Sequence, residues 1–435
     1  MCLHNQTFIL PTEVKIRKIT VYLTVIFRIF TNFSFNKHFN HDTLLMKTDE
    51  TVRRHARVEV ADVLRGFAVM AIILLHSIEH FNFYSFPDTA SQPAWLNFTD
   101  KAIWNGLFFA FGSKAYGIFA LLFGFSFFIQ DDNQRMRGND FRLRFCWRLL
   151  CLFIIGQIDA IFFTGEILVL YALVGFILVL TCRLSTKWLI IIGALFILQP
   201  ISVYQMIRAC MDPAYEIVKI NSGPYWAATF AAQSEGSFLD IVKVNLWEGQ
   251  LASLAWAWEH GRLLQTAGLF IFGMLIGRSG WFGKQYIDKW SIVLAAAIMT
   301  YFPLTGILNM MPEYVENPNF LTPFKILVGS LTNLCLMLMW VTGILFAYYR
   351  TEGISAKLKL LIPYGRMSMT NYVTQGIIGS AIYYNWGLHL QMGITGSLLI
   401  GIAIFLVQWA VCRWWFRIHS HGPLEYIWKK ATWIW

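Results

Sequence analysis

The sequence predicts an all-α protein that crosses a lipid bilayer about ten times. Hydrophobic residues make up 57% of the 435 residues and charged residues only 14%, whereas charged residues average about 25% of a soluble domain. Several apolar runs reach about 20 residues, which is the length of an α-helix that spans a bilayer. These observations predict one polytopic membrane domain and argue against a set of soluble domains.

Ten segments have the length and apolar character of spanning helices. The third and fourth are separated only by a tight turn at 164–166. A long polar and aromatic loop at about 208–261 separates the fifth from the sixth, and we expect short interfacial helices there. The predicted helices cover about residues 64–83, 105–129, 146–164, 166–182, 187–207, 262–279, 290–310, 324–349, 370–388 and 396–417.

Residues 1–45 differ from the rest of the chain. Their stretch "EVKIRKITVYLTVIF" has a basic start and an apolar part, as a signal peptide has, but Arg28 interrupts it and no small-residue cleavage site follows. A second methionine, Met46, opens a polar segment that is typical of a natural start. We therefore expect the functional chain to begin at Met46, with 1–45 a non-native or disordered extension and 46–435 a single transmembrane domain.

Lysine and arginine lie mostly on one side of the predicted helices. They occur before the first helix and after every even-numbered one, whereas the other side carries few. The positive-inside rule then places both termini in the cytoplasm and the 208–261 loop outside. The same asymmetry explains the net charge of +10 without a nucleic-acid partner. The cations on the outer side are Lys101, Arg208, Lys219 and Lys243.

The stretch "HSIEH" at 76–80 places three ionisable residues in the first predicted helix. His76, Glu79 and His80 share one helix face because the second and third lie three and four residues after the first. Arg65 lies eleven residues before His76, so it is about 16 Å away along the helix and only about 20° away around it. Charged groups inside a bilayer are costly and often mark function. We therefore expect a functional face with Arg65 at its cytoplasmic edge.

Further ionisable residues lie at similar depths on other predicted helices. Lys114 on the second helix reaches the depth of Glu79, and Asp159 on the third reaches the depth of His76. Glu166 follows at the start of the fourth helix. Together these residues predict a polar cluster in the middle and outer half of the membrane. Three more open the sixth helix at its outer mouth: Glu259, His260 and Arg262.

Three interpretations of this cluster remain open. In the first, it is a structural network in which Lys114 pairs with Glu79 or Asp159. In the second, His76 and His80 bind zinc and Glu79 is the base of a hydrolase, as the H-x-x-E-H pattern permits. Lys114 would repel the ion and the seven scattered cysteines form no zinc motif, so we expect no metal. In the third, the cluster moves protons, either for group transfer or for proton-coupled transport of a small solute.

Six stretches of the sequence resemble the YeiB-like family of bacterial inner-membrane proteins. The similarity runs from about Val58 to the C-terminus. The last two stretches are the most specific, and they match a C-terminal domain of unknown function that would cover about 262–435. The stretches are "VEVADVLRGFAVMAIILLHSIEHFNF" (58–83), "GSKAYGIFALLFGFSFF" (112–128), "TGEILVLYALVGF" (164–176), "LQTAGLFIFGMLIGR" (264–278), "YGRMSMTNYVTQGIIGSAIYY" (364–384) and "HGPLEYIWKKATW" (421–433).

This family is similar in layout to the acyltransferase-three and heparan glucosaminide acetyltransferase families, which move acyl groups from cytosolic coenzyme A to sugars. The acyltransferase-three pattern has an arginine, ten residues and then a histidine on the first helix, and Arg65 and His76 match that spacing. The resemblance implies an inner-membrane acyltransferase that acts on an envelope sugar or glycan. Acyl-CoA would be the donor, and no cofactor would be bound permanently.

Each ionisable residue has an expected role in such a reaction. His76, assisted by Glu79, would deprotonate the acceptor hydroxyl, and Lys114 would stabilise the developing oxyanion. The phosphates of the donor would bind two arginines, Arg65 and Arg366. The catalytic residues would be His76, Glu79, Lys114 and Asp159. The small-molecule or glycan acceptor would contact His80, Glu166, Glu259, His260 and Arg262.

Four residues of the C-terminal motifs have structural interpretations. Gly365, Ser368 and Asn371 are suited to close helix packing and to hydrogen bonds between helices. Glu425, in "GPLEYIW", is expected to brace the final cytoplasmic segment. These residues therefore predict contacts that hold the C-terminal half together.

Overall fold

The computed structural model describes residues 58–84, 86–212, 214–218 and 220–434, and these residues form helices without any strand. They belong to one compact unit, Val52–Trp435. The predicted extension at 1–45 and the predicted start at Met46 lie outside the described residues. The fold class is therefore all-α, as the sequence predicts.

The helices divide into a first group before the 208–261 segment, a second group within it and a third group after it. The first is α1 (Glu59–Ile78), α2 (Ala94–Phe111), α3 (Ala115–Arg135), α4 (Arg142–Ala160), α5 (Leu168–Val174), α6 (Phe176–Thr181), α7 (Thr186–Ile197) and α8 (Pro200–Met211). The second is α9 (Gly223–Glu235), α10 (Phe238–Val244), a π-helical turn (Asn245–Gly249) and α11 (Gln250–Glu259). The third is α12 (Arg262–Ser279), α13 (Ile287–Tyr314), α14 (Pro318–Arg350), α15 (Glu352–Lys359), α16 (Ile362–Arg366), α17 (Ser368–Tyr383), α18 (Ile394–Trp415) and α19 (Pro423–Thr432).

Several of these helices are typical of a membrane protein. Among the described residues, five segments are long and apolar enough to cross a bilayer, and a sixth is the α7–α8 pair, which bends by 53°. Every predicted spanning segment overlaps one or two helices, whereas the count of ten spans stays a prediction. The five segments are Glu59–Ile78, Ala94–Arg135, Lys284–Tyr314, Pro318–Arg350 and Ile394–Trp415.

Two of the predicted helices end or break at positions where the apolar run in the sequence continues. The first ends at Ile78 because Glu79 has φ −107° and ψ −87°, outside the helical region. The second is split by the segment 112–114, in which Ser113 has a left-handed φ of 61°. Glycine and serine are weak helix formers, and they stand side by side at this break. Lys114 therefore precedes α3, whereas the sequence predicted that it would lie inside one continuous helix.

Three other predicted boundaries also shift. The turn predicted at 164–166 is a longer loop at 161–167, because α4 ends at Ala160. The predicted fifth helix breaks before Pro200, where Gln199 has a positive φ of 50°, since proline cannot donate to the preceding turn. The 208–261 segment carries helices, as predicted, and they include the π-helical turn.

Helices α3 and α12 lie side by side and parallel at the centre of the fold. A Cβ placed on Gly124 of α3 would fall on the Phe270 carbonyl oxygen, and one placed on Gly273 of α12 would fall on the Leu121 carbonyl oxygen. The two backbones are therefore in direct contact, which only glycine allows. The register is parallel because Tyr116, near the start of α3, hydrogen-bonds to Gln265 near the start of α12.

A second close contact joins α1 to α16. A Cβ on Gly66 would lie 2.6 Å from the Leu361 carbonyl oxygen, and a Cβ on Gly365 would fall on the Asp62 carbonyl oxygen. Asn371 donates from Nδ2 to the Tyr364 carbonyl oxygen at 3.0 Å. The structure therefore confirms that Gly365 serves close packing and that Asn371 links helices.

Glu425 of α19 caps the start of α17, which refines its predicted role as a brace. Its Oε1 accepts hydrogen bonds from the backbone N–H groups of Met369 at 2.8 Å and Thr370 at 3.0 Å. Its Oε2 accepts from the Thr370 hydroxyl at 2.6 Å. These N–H groups belong to the first turn of α17 and have no partner within their helix. A side chain distant in sequence thus satisfies them.

This cap gives a prediction about pH. Burial raises the pKa of the Glu425 carboxyl above its ordinary value of 4.5, although the hydrogen bonds from Thr370 and Met369 act in the other direction. A raised folded-state pKa contributes stability that is complete below the unfolded value and is lost as pH rises through the folded value. We expect the stability of wild type relative to Glu425→Gln to fall as pH rises from about 4.5, measured by thermal unfolding across a pH series. A difference independent of pH would contradict this expectation.

Candidate functional site

The "HSIEH" stretch forms a compact group at the end of α1. His76 lies in the last turn of the helix, and Glu79 and His80 lie in the turn that follows. The Glu79 Oε1 to His80 Nδ1 distance is 3.1 Å, and the rings of His76 and His80 are 5.4 Å apart. One ligand atom from each of the three residues lies within 4.8 Å of the others. The three residues therefore lie close together, as predicted, although α1 ends at Ile78, between His76 and Glu79.

The His76 ring lies in a pocket of aromatic side chains. Its centroid is 4.8 Å from that of Phe163 and 6.4 Å from that of Tyr372. Its Nδ1 atom is buried and has no hydrogen-bond partner among the described residues. A buried polar atom without a partner is costly and calls for a functional explanation. His76 thus has one nitrogen available to a substrate, a water molecule or a proton.

Arg262, the first residue of α12, extends this group from another part of the chain. Its guanidinium lies over the Tyr116 ring at 4.4 Å and over the Trp256 ring at 4.2 Å. It donates a hydrogen bond to Ser113 Oγ at 3.0 Å. It also interacts electrostatically with His76 and Glu79. The structure therefore places Arg262 at the cluster.

Lys114 does not make the ion pairs that the structural-network interpretation predicts. Its Nζ donates to the Phe108 carbonyl oxygen at 3.3 Å. In the part of the chain that the structure describes, no carboxylate lies within ion-pair distance of it, so the predicted pairing with Glu79 or Asp159 is wrong. The break before α3 accompanies this, because Lys114 turns back onto the last turn of α2 at Phe108.

Two carboxyl groups lie near Tyr372 of the His76 pocket. Asp159 is fully buried, and both of its oxygens lack hydrogen-bond partners in the described chain. It lies against α17, because a Cβ on Gly376 would be 2.9 Å from Asp159 Oδ1 and 3.1 Å from Phe163 Cβ. Glu166 instead caps α5, accepting from the backbone N–H of Leu168 at 2.6 Å. Phe163 thus separates His76 from an unpaired carboxyl group.

A cavity of about 60 Å³ lies beside this cluster. Two of the predicted acceptor-binding residues, Glu166 and Arg262, line it together with Gln250 and Trp256. It is enclosed by α11 of the 208–261 segment, by the 161–167 loop with the start of α5, and by the first residue of α12. A cavity of this size has room for a few water molecules or one hydroxyl group, since whole-ligand pockets take about 300–1,000 Å³.

The other predicted acceptor residues are distributed differently. Glu259 accepts two hydrogen bonds from Ser222, from N at 3.0 Å and from Oγ at 2.5 Å. The His260 ring packs on Trp256 at 4.5 Å. Neither is among the residues that line the cavity. His80 lies closer to the cavity, because a Cβ on Gly165, which lines the cavity, would be 3.0 Å from His80 Cδ2.

The two arginines expected to bind the donor lie at the opposite end of α1. Arg65 is held by Asp62 Oδ1 at 2.6 Å and by Ser126 Oγ at 2.6 Å. Arg366 lies over the Phe416 ring at 4.0 Å. The contact between Gly365 and Asp62 brings their two helices together, so both arginines belong to the same end of the molecule.

Sequence reasoning missed several residues that shape the site. Tyr372 accepts a hydrogen bond from the backbone N–H of Ile167 at 3.0 Å and closes the His76 pocket. Gly165 makes room for the imidazole, because a Cβ there would lie 3.0 Å from His80 Cδ2. Both residues stand in stretches that resemble the YeiB-like family, and this resemblance is the sequence feature that could have indicated them. Nothing in the sequence distinguishes Phe163 and Trp226 as site residues, since aromatic residues are common throughout this chain.

The charges around the "HSIEH" group disfavour a metal ion. Its nitrogen and oxygen atoms are of the types that zinc prefers. Arg262 interacts electrostatically with both His76 and Glu79, and it also interacts with Lys114. A divalent cation at this group would therefore be repelled by Arg262, at a cost that rises in a low-dielectric interior. The group suits proton transfer better than metal binding.

Comparison with other proteins finds relatives that cover most of the chain. Residues 276–435 match a model described as "Protein of unknown function (DUF418)". The uncharacterized protein YxaH of Bacillus subtilis (strain 168) is 27% identical over 414 residues, covering 87% of this chain and 94% of that protein. The uncharacterized protein YeiB of Escherichia coli (strain K12) is 25% identical over 403 residues, covering 85% and 95%. No solved structure matches the chain. The chain is therefore similar over most of its length to the YeiB-like proteins, and its C-terminal part matches a domain of unknown function.

Proposed function

We propose that the protein is an acyltransferase of the bacterial inner membrane, with ten spans and both termini in the cytoplasm. It transfers an acyl group from cytosolic acyl-CoA to a hydroxyl group of an envelope sugar or glycan. The observation that carries this proposal is His76, whose buried Nδ1 has no partner among the described residues. A general base needs such a free nitrogen beside a substrate cavity.

The reaction uses the neutral imidazole of His76. Its Nδ1 takes the proton of the acceptor hydroxyl while the oxygen attacks the thioester carbonyl carbon. The new C–O bond forms, the C–S bond breaks, and the coenzyme A thiolate leaves with the proton that the imidazolium returns. The Glu79 carboxylate, 3.1 Å from His80, stabilises the imidazolium during this exchange.

Positive charge at the cavity favours the transition state. Arg262 lines the cavity and interacts electrostatically with Lys114. Both cations favour the negative charge that develops on the carbonyl oxygen. Asp159, on the other side of Phe163, is a candidate carboxyl group for moving the proton onward.

The donor approaches from the other end of α1. Arg65 and Arg366 bind its phosphates there, as guanidinium groups do well. α1 is continuous from Glu59 to Ile78, so about 16 Å of helix separates Arg65 from His76. The donor must therefore be extended, which fits an acyl group on the long arm of coenzyme A.

The test is release of free thiol from acyl-CoA by the purified full chain in detergent. We expect acetyl-CoA or a longer acyl-CoA to yield thiol faster when sugars carrying free hydroxyl groups are added. Absence of thiol release from every acyl-CoA, together with proton-coupled solute uptake into proteoliposomes, would contradict the proposal in favour of a transporter. Activity that depends on added zinc would favour a metal-dependent hydrolase.

A further inference from the structure

A larger cavity lies at the end of α1 that carries Arg65. Its volume is about 390 Å³, within the range of about 300–1,000 Å³ that is typical of pockets for a whole ligand. It is enclosed by the start of α1, by α3, by the end of α12 with the loop that follows, and by the end of α14. None of the described residues that line it belongs to the predicted catalytic or substrate-binding set. The cavity therefore needs an explanation of its own.

Four aromatic side chains line the cavity: Phe125, Phe282, Tyr348 and Tyr349. The rings of Phe125 and Phe282 contact each other, with centroids 5.0 Å apart. The rings of the two tyrosines also contact each other at 5.0 Å. The Tyr349 hydroxyl donates to the Phe282 carbonyl oxygen at 2.6 Å, which fixes its ring in the wall. Flat heterocycles stack favourably on aromatic side chains of this kind.

One carboxylate, that of Glu59, faces this aromatic wall. Glu59 is exposed and lines the cavity. Its Oε2 accepts a hydrogen bond from the Tyr348 hydroxyl at 2.7 Å. A carboxylate has two oxygens and can accept about four hydrogen bonds, so Glu59 can also accept from an amino group of a ligand. The cavity thus suits a flat ring that carries a hydrogen-bond donor.

The cavity, Arg65 and His76 follow one another along α1. Glu59 lies six residues, or about 9 Å, before Arg65, and Arg65 lies about 16 Å before His76. Arg65 also reaches the cavity wall, because its Nη2 donates at 2.6 Å to Ser126 Oγ, next to Phe125. Coenzyme A has its parts in the same order, with adenine at one end, phosphates next to it and the thioester at the end of a long arm.

Two lysines stand beside the cavity. The Lys359 Nζ is 5.7 Å from the centroid of the Tyr348 ring, which lines the wall. Lys284 is exposed and directly follows Gly283, another wall residue. Ammonium groups bind phosphate as point charges. A ligand with an uncharged base inside the cavity and phosphate groups outside it fits this distribution of charge.

We propose that this cavity binds the adenine base of an adenine nucleotide, which is the nucleotide end of the acyl-CoA donor. The base stacks among the aromatic side chains, and its exocyclic amino group donates a hydrogen bond to the Glu59 carboxylate. This inference rests on the proposed function and deepens it, since it assigns the end of the donor that is farthest from the thioester. The base holds the donor at the start of α1, and the rest of the molecule extends past Arg65 toward His76.

The test compares two nucleotides on the detergent-purified full chain by isothermal titration calorimetry. The nucleotides are AMP and purine riboside 5′-monophosphate, which lacks only the exocyclic amino group. We expect wild type to bind AMP at least about tenfold more tightly, a difference of about 1.4 kcal/mol. Glu59→Gln still accepts a hydrogen bond from Tyr348, but its neutral oxygen accepts a weaker one than a carboxylate does. We therefore expect this variant to lose most of the preference by binding AMP more weakly, with purine riboside 5′-monophosphate unchanged.

The matched control is Glu352→Gln, because Glu352 is exposed at the start of α15 and does not line the cavity. We expect it to keep the wild-type preference for AMP. Failure of wild type to bind AMP, equal binding of the two nucleotides, or the same preference in Glu59→Gln and Glu352→Gln would overturn the inference.

A second arm identifies the source of the nucleotide. Coenzyme A is titrated into the protein saturated with AMP. Displacement of AMP supports the donor as the ligand, whereas AMP that coenzyme A does not displace would overturn the assignment to the donor. These measurements need neither an acyl group nor an acceptor, so their failure is distinguishable from absence of thiol release from acyl-CoA.

Discussion

Replacement of His76 by alanine is expected to lower the rate of acyl transfer by about 10²–10⁴-fold, the usual contribution of a positioned general base. The imidazole is the group whose Nδ1 is buried and without a partner among the described residues, and alanine removes it. The backbone of α1 would stay helical, because alanine is the best helix former. The measurement is thiol release per protein molecule at saturating acyl-CoA, with thermal unfolding of the same sample.

The matched control for this prediction is His419→Ala. His419 is exposed and its ring packs on Trp415 at 4.0 Å, far along the chain from the cluster. We expect it to keep the wild-type rate. If His76→Ala also kept that rate, with unchanged unfolding, His76 would be a packing residue and the general-base mechanism would be wrong.

Replacement of Gly273 by alanine is expected to destabilise the protein by about 1–3 kcal/mol or more, as overpacking of a tight contact does. The new Cβ would fall on the Leu121 carbonyl oxygen, and a carbonyl in the middle of a helix cannot move away without shifting the helix. Helices α3 and α12 would then separate. The measurement is the midpoint of thermal unfolding in detergent.

Gly343 provides the matched control, since it also lies inside a long helix, α14, but a Cβ there meets nothing within 4 Å. We expect Gly343→Ala to be neutral or to stabilise by up to about 1 kcal/mol, because alanine favours helix over glycine. Equal midpoints for the two variants would mean that α3 and α12 are not in backbone contact.

The sequence predicts the class of fold and the core of the candidate site for a clear physical reason. Residues three and four apart on a helix meet whatever the rest of the chain does. His76, Glu79 and His80 therefore stay together even though the helix ends at Ile78. Apolar runs likewise predict helices, because a bilayer requires every backbone group to be bonded internally.

Contacts between distant helices could not be predicted in this way. Asp159 and Tyr372 lie on helices far apart in sequence, and periodicity does not determine which helices pack together. The break at Gly112–Lys114 depends on a left-handed Ser113, and tertiary contacts decide such conformations. The predicted partners of Lys114 were wrong for this reason, because they assumed one continuous helix.

The parallel arrangement of α3 and α12 also determines how the protein responds to ionic strength. Like partial charges stand side by side at their starts, with Lys114 and Arg262 on top of them. Dissolved ions screen exposed charges over about 10 Å in 0.1 M electrolyte, but they screen a buried pair much less. Lys114 is only 5% exposed, so the repulsion at this end changes little when the buffer is diluted. The backbone contacts at Gly124 and Gly273 oppose that repulsion at any ionic strength.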